Sequence, residues 1–160
     1  MPYTRSQILL HWIVVLLLIP QFLLHDGMSH AFHQLMEGAG ADYAPLVLQH
    51  IVTGLAVLAL VLWRLVLRAR VGAPPLPAQE PALMKLAAHA THWALYALLV
   101  LLPLSGLAAW FGQLGTAAEA HEIMKNILLA LAGLHIAAAL FHQFVLRTNL
   151  LARMRRPGAV

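Results

Sequence analysis

Four apolar runs, each long enough to cross a lipid bilayer, constrain this chain more than any other feature. They cover residues 8–24, 46–67, 86–109 and 123–146, and a membrane-spanning helix needs about 20 such residues. Because the hydrocarbon offers no hydrogen bonds to the backbone, each run should be a helix. We therefore predict an all-α fold: an integral membrane four-helix bundle that forms a single domain over residues 1–160.

The composition agrees with a membrane protein. Hydrophobic residues make up 61% of the chain and charged residues only 10%, whereas an average soluble domain is about a quarter charged. There is no cysteine, which excludes disulfides, thiolate metal sites and thiol catalysis. The formal net charge is +4, but the basic residues lie at the ends of the apolar runs. They therefore indicate membrane topology, and we expect lipid and not nucleic acid as the surroundings.

The charge distribution predicts the orientation. With four spans, both termini lie on one side, and nine basic residues share that side: Arg5, Arg64, Arg68, Arg70, Lys85, Arg147, Arg153, Arg155 and Arg156. Lys125 lies opposite, together with five of the acidic residues. The positive-inside rule then places both termini in the cytoplasm. We expect a multi-pass membrane protein.

The connections between the runs differ in character. Residues 25–45 are polar and contain three histidines, and a short interfacial helix is predicted from Met28 to Met36. Residues 68–85 contain four prolines and should form an extended linker. Residues 110–120 should form a short loop.

Histidines in the apolar runs are the candidate functional residues. His121 and His135 are 14 residues apart in the last run, so on a helix they lie on nearly one face, about 21 Å apart along the axis. His50 matches His121 in depth near the outer side, and His11 matches His135 nearer the inner side. Two stacked pairs of histidines between helices are an arrangement that holds two haem groups, because haem iron takes axial imidazoles from opposite faces.

One assignment stays open on depth alone. His142 lies as close to the inner end as His11 does, so His142 could replace His135 as the partner of His11. His89 and His92 also lie near the inner end. The histidine spacings provide no clear third ligand for a zinc site, and weak metal binding by the polar segment 25–45 is a further possibility.

Several stretches resemble the bacterial cytochrome b561 family, which is related to the cytochrome b subunits of hydrogenases. The stretches are Ile8-Leu-Leu-His11-Trp12, His50 with Gly54 ahead of Leu62-Trp-Arg-Leu65, His89-Ala-Thr-His92 through Tyr96 to Pro103-Leu-Ser-Gly106, and Gly133-Leu-His135 through His142. The resemblance implies two haem b groups, one held by His11 and His135 and the other by His50 and His121.

The resemblance also implies electron transfer between ubiquinone and a partner at the outer face, as a quinone-linked oxidoreductase or electron carrier. The partner could be a periplasmic redox protein or superoxide, which some members of the family oxidise. Near the inner end, His92 or His142 is expected to contact the quinone head group, with Arg147 or Arg5 as a nearby charge, since histidine both donates and accepts protons near neutral pH. The alternative is a non-redox membrane protein that transports a metal or protons through intramembrane histidines.

Overall fold

The computed structural model of the protein describes residues 2–77, 80–148 and 150–157. Across these residues the chain forms helices and no strand. In order they are α1 Arg5–Leu23, α2 His25–Met36, α3 Pro45–Val71, α4 Ala82–Gly112, α5 Gly115–Phe144 and α6 Leu150–Arg153. The helices α1, α3, α4 and α5 are long and apolar enough to span a membrane, which confirms the all-α bundle.

The spanning helices are longer than the apolar runs that predict them. The predicted loop over residues 110–120 is wrong, because α4 continues to Gly112 and α5 already begins at Gly115. The first turns of α5 are polar, but they are rich in alanine and glutamate, which favour a helix outside the hydrocarbon as well as inside it. The turn is correspondingly tight, and Gln113 takes a left-handed conformation with φ of 51°.

The other connections follow the prediction more closely. The helix expected from Met28 to Met36 is present as α2, which begins three residues earlier. Between α3 and α4 the described residues are not helical, so the proline-rich segment is a linker, although α3 and α4 each extend into the predicted range 68–85.

A hydrogen-bonded cap fixes the start of α1. The Gln7 amide N–H donates to the Thr4 hydroxyl (3.2 Å), and the Thr4 amide N–H donates to Gln7 Oε1 (3.0 Å), which forms a capping box. Gln7 Nε2 also donates to the Gly72 carbonyl at the end of α3 (2.8 Å). His11 lies one helical turn beyond Gln7, so this cap sets its height relative to α3.

The packing of the helices leaves an opening along α5. Among the described residues, α1 packs on α3, α3 on α4 and α4 on α5, whereas α5 makes no comparable backbone packing with α1 or α3. Large apolar side chains point outward, such as Leu16 (63% exposed) and Phe144 (72% exposed), as expected for a surface in lipid. The space between α5 and the pair α1 and α3 is where the predicted histidine pairs meet.

Candidate functional site

The outer histidine pair joins α3 to α5. The ring centroids of His50 and His121 are 6.3 Å apart, with an angle of 56° between the planes. Leucine, valine and phenylalanine side chains from α1, α3, α4 and α5 line the cavity around them. His50 Nδ1 is buried and has no hydrogen-bond partner among the described residues. Because buried polar atoms are normally paired, a ligand or another partner is expected beside it.

The surroundings of His121 fix which ring nitrogen faces the cavity. Its Nδ1 lies 2.9 Å from the Leu102 carbonyl and 3.1 Å from the Ser105 hydroxyl. Since a carbonyl only accepts, Nδ1 carries the proton and donates to it. Nε2 is then left with its lone pair, as in metal-binding histidines whose other nitrogen donates to a backbone carbonyl.

Glycine at position 106 provides the room for this ring. A Cβ there would lie 3.2 Å from His121 Cε1 and 3.4 Å from its Nδ1. Any larger side chain at this position would therefore push the imidazole away from the Leu102 carbonyl. Gly54 and Gly133 play a looser part: a Cβ at Gly54 would make ordinary contact with Gln21, and one at Gly133 would meet open space.

The inner site brings together three histidines from three helices. His11 on α1 and His135 on α5 have ring centroids 6.4 Å apart, and His92 on α4 lies 5.2 Å from His135. The His92 Nδ1 contacts the Ala88 carbonyl at 2.7 Å, so its Nε2 is the nitrogen left for other partners.

The ring separations test whether one iron fits between each pair. A metal-bound imidazole nitrogen lies about 2.0–2.1 Å from the metal, so two imidazoles on opposite sides of one metal ion have centroids about 6.3 Å apart. The His50–His121 distance of 6.3 Å and the His11–His135 distance of 6.4 Å match this value. The 5.2 Å between His92 and His135 is too short. Both predicted pairs therefore fit a bis-histidine haem, and His92 is a neighbour of the inner pair.

His142 lies apart from the inner pair. It is on the same face of α5 as His135 but two turns further on, about 10 Å along the axis. Its Nδ1 contacts the Thr148 hydroxyl (3.1 Å) and the Glu80 carboxylate (3.3 Å), and its ring stacks edge-on with Phe141. The structure thus brings His135, and not His142, to His11.

Cationic and aromatic side chains gather at the inner end of the bundle. Arg64 Nη1 donates to the Gln7 carbonyl (3.2 Å), and its charge acts on both His11 and His135. The Arg68 guanidinium lies over the rings of Trp93 (5.3 Å) and Tyr96 (5.7 Å). These contacts provide positive charge beside the inner pair, where carboxylate or carbonyl groups of a ligand would find donors.

Tyr3, which precedes α1, is a titratable residue at the inner end that lies outside the spans. Burial raises the pKa of the Tyr3 hydroxyl above its usual value, although the nearby arginines Arg68, Arg64 and Arg153 oppose the shift. The Tyr3 hydroxyl therefore stays protonated and available as a donor over the physiological pH range.

Other predicted residues lie away from the pairs. Arg147 is in an exposed turn after α5, with a left-handed φ of 53°, and His89 is exposed on α4. On α2, His25 contacts Asp26 and the Phe22 carbonyl, and His30 contacts Gln34. Within the ranges that the structure describes, no three histidine, aspartate or glutamate side chains are arranged so that together they could hold one metal ion.

The residues that support the outer pair were not predicted from the sequence. No role at this site was predicted for Ser105, Gly106 or Gln21. Gln21 Nε2 donates to the His50 carbonyl (2.8 Å) and to the Thr53 hydroxyl (2.6 Å). Polar side chains inside apolar runs are the available signal, because each needs a partner there.

Comparisons with known proteins show what this chain is similar to. The family model for prokaryotic cytochrome b561 matches residues 2–157. Cytochrome b562 of Cereibacter sphaeroides is 39% identical over 158 residues, which cover 97% of this chain and 96% of the relative. A Yersinia pestis protein named "Probable superoxide oxidase CybB" is 31% identical, with 95% and 94% covered. Cytochrome b561 homolog 1 of Escherichia coli is 28% identical, with 95% and 96% covered.

Proposed function

This chain belongs to the prokaryotic cytochrome b561 family, and from that premise we propose that it transfers electrons across the bacterial inner membrane between ubiquinone and a partner at the outer face. The proposal rests on one observation: two pairs of histidines lie at two depths, and the rings of each pair are separated by the distance that one iron requires. Members of this family are membrane cytochromes, and haem b is the cofactor that the family implies.

We assign two haem b groups to the two pairs. His11 and His135 would hold the inner group, and His50 and His121 the outer one. When bound, haem b supplies a one-electron couple of its iron. The chain would contribute the four histidine ligands, the Leu102 carbonyl that orients His121, and a mostly apolar lining around the outer pair.

The inner end is the proposed quinone side. Ubiquinone exchanges protons as well as electrons, and His92 and His142 are histidines near this end that the inner pair does not use. Arg147 was predicted as a charge near the quinone head group. It lies in an exposed turn away from the inner pair, and this role stays a prediction. Arg64, which acts on the inner pair, is a better-placed cation.

Superoxide as the outer substrate rests on the name of the Yersinia pestis relative. An anion is drawn to a site by positive charge, and Lys125 is the basic residue at the outer side. Lys125 forms an ion pair with Glu122 (2.7 Å), which cancels much of its field. We therefore propose that the outer partner is a periplasmic redox protein or superoxide. The outer face should attract superoxide only weakly.

The proposed orientation predicts a labelling pattern. Because the chain has no cysteine, single substitutions at the exposed Ala73 and Glu119 can be labelled without background. A membrane-impermeant maleimide should modify Glu119→Cys in spheroplasts and Ala73→Cys only in inside-out vesicles. The reverse pattern would contradict a cytoplasmic location of both termini.

The function itself is tested by the reaction of the purified protein with ubiquinol. We expect ubiquinol to reduce the bound haem under anaerobic conditions and to produce the α band typical of haem b. We also expect superoxide or another donor at the outer face to reduce ubiquinone when the protein is present. Protein that binds no haem under haem-replete expression, and instead moves metal ions or protons in vesicles, would overturn the proposal in favour of a transporter.

A further inference from the structure

Glu80 is a buried carboxylate in a connection whose other described residues are exposed or half-buried. It lies in the proline-rich linker between α3 and α4, yet only 6% of its side chain is exposed. Its Oε1 has no hydrogen-bond partner of good geometry among the described residues. A buried carboxylate is costly unless a cation or donor compensates it, so an ionisable neighbour is central to its role.

That neighbour is His142, whose Nδ1 lies 3.3 Å from Glu80 Oε1 and whose side chain is 12% exposed. The Thr148 hydroxyl donates to the His142 carbonyl (3.3 Å) and lies 3.1 Å from Nδ1. Because this hydroxyl uses its proton on the carbonyl, it accepts from Nδ1–H. The imidazole therefore carries its proton on Nδ1, and Nε2 has the free lone pair.

We propose that Glu80 positions and charge-compensates His142 so that this histidine exchanges protons with ubiquinone at the inner face. The inference rests on the proposed function above and adds a residue to it. The Thr148 hydroxyl accepts the Nδ1 proton, and the Glu80 carboxylate lies 3.3 Å from the same nitrogen. Its negative charge therefore faces that side of the ring and leaves Nε2 available as the base.

Oxidation of one ubiquinol releases two electrons and two protons. The haem b that the inner pair would hold under the proposed function would supply the one-electron acceptor for each electron. In each of two rounds His142 Nε2 accepts one quinol O–H proton, and the imidazolium faces the Glu80 carboxylate until the proton leaves to the inner aqueous phase. Reduction of ubiquinone runs the same steps backwards.

Charged groups near the pair come from the linker and the carboxyl-terminal segment. Arg153 on α6 donates to the Pro75 carbonyl of the same linker (2.8 Å), and Arg147 lies in the exposed turn just before Thr148. Both carry a fixed charge at all physiological pH values. Lys85 and His89 line a groove with the linker residues Pro74 and Pro75, and Tyr3 is a further titratable group at this end. The pH dependence is therefore assigned by comparing variants and not from the native profile alone.

The test compares full-length variants in detergent by stopped-flow reduction of the haem with a short-chain ubiquinol between pH 6 and 9. Glu80→Gln should keep both haems and their spectrum but react at least about tenfold more slowly, since general acid–base catalysis typically contributes 10²–10⁴-fold. Its rate should also depend less on pH. Glu80→Asp should recover part of the rate, and the exposed outer Glu119→Gln should behave as the native protein.

The double variant Glu80→Gln with His142→Gln separates a shared role from two independent ones. If the two side chains act as a unit, the double variant reacts no more slowly than the slower single variant. A native rate and pH profile in Glu80→Gln would overturn the proposal, and so would loss of haem in Glu80→Gln that Glu80→Asp does not repair. Native protein that ubiquinol does not reduce would instead contradict the proposed function.

Discussion

His135→Ala should leave the purified protein with about one haem per chain instead of two. His135 is the α5 partner of His11, at the ring separation that one iron needs. Without it the inner haem would lose one of its two histidine ligands, and alanine offers no atom that can replace it. Because we assign the inner pair to the quinone side, reduction of the remaining haem by ubiquinol should become at least about a hundredfold slower, as expected when a metal ligand itself is removed and not its supporting shell.

Two matched variants make the His135→Ala result specific. His92→Ala removes the ring that lies 5.2 Å from His135, and it should keep both haems. His89→Ala removes an exposed histidine of the same helix and should resemble the native protein in haem content and rate. The number of haems per chain in each variant, obtained from the pyridine haemochrome spectrum and the mass of protein, distinguishes these outcomes. Two haems in His135→Ala together with one in His92→Ala would mean that the inner ligand is wrongly assigned.

His121→Ala should remove the outer haem and leave the inner one. Ubiquinol should still reduce the remaining haem at close to the native rate, because the inner pair and the quinone side are unchanged. Electron transfer to or from a partner at the outer face should fall below detection. This pattern is the opposite of that of His135→Ala, and it is measured by the same haem analysis combined with assays from each side in oriented vesicles.

The support of His121 predicts a graded effect. Ser105→Ala removes the hydroxyl that lies 3.1 Å from Nδ1 but keeps the Leu102 carbonyl at 2.9 Å. It should therefore weaken outer haem binding about tenfold, the low end of the 10–100-fold range for such supporting contacts. If His121→Ala kept two haems while Ser105→Ala lost one, the serine and not the histidine would be the important residue at this site.

The fold could be read from the sequence because lipid allows few solutions. Apolar runs of sufficient length must be helices, so α1, α3, α4 and α5 were predictable. Their ends were not, because hydropathy falls where residues leave the hydrocarbon while helix propensity persists. The polar first turns of α5, from Gly115 onward, are the clearest case.

The histidine pairs were predictable for a similar reason. Helical periodicity and rise place His121 and His135 on one face at two depths, and only a few histidines on other helices match those depths. Depth alone did not separate His135 from His142. The lateral packing does, because it turns His135 toward His11 and leaves His142 beside the linker.

Supporting contacts could not be predicted because they depend on how separate helices pack. The contact between His121 and the Leu102 carbonyl joins residues 19 positions apart across the α4–α5 turn. Glu80 and His142 are further apart still, and they meet only because the linker folds back over the end of α5. Spacing rules for a single helix contain no information on such contacts.

The number of haem b groups per chain tests the central claim most directly. Protein expressed with adequate haem, purified in detergent and analysed by pyridine haemochrome against amino-acid quantitation should contain about two haems per chain, and dithionite should produce a haem b α band. One haem per native chain would mean that one of the two histidine pairs is not a haem site. No haem at all would contradict the assignment of both pairs.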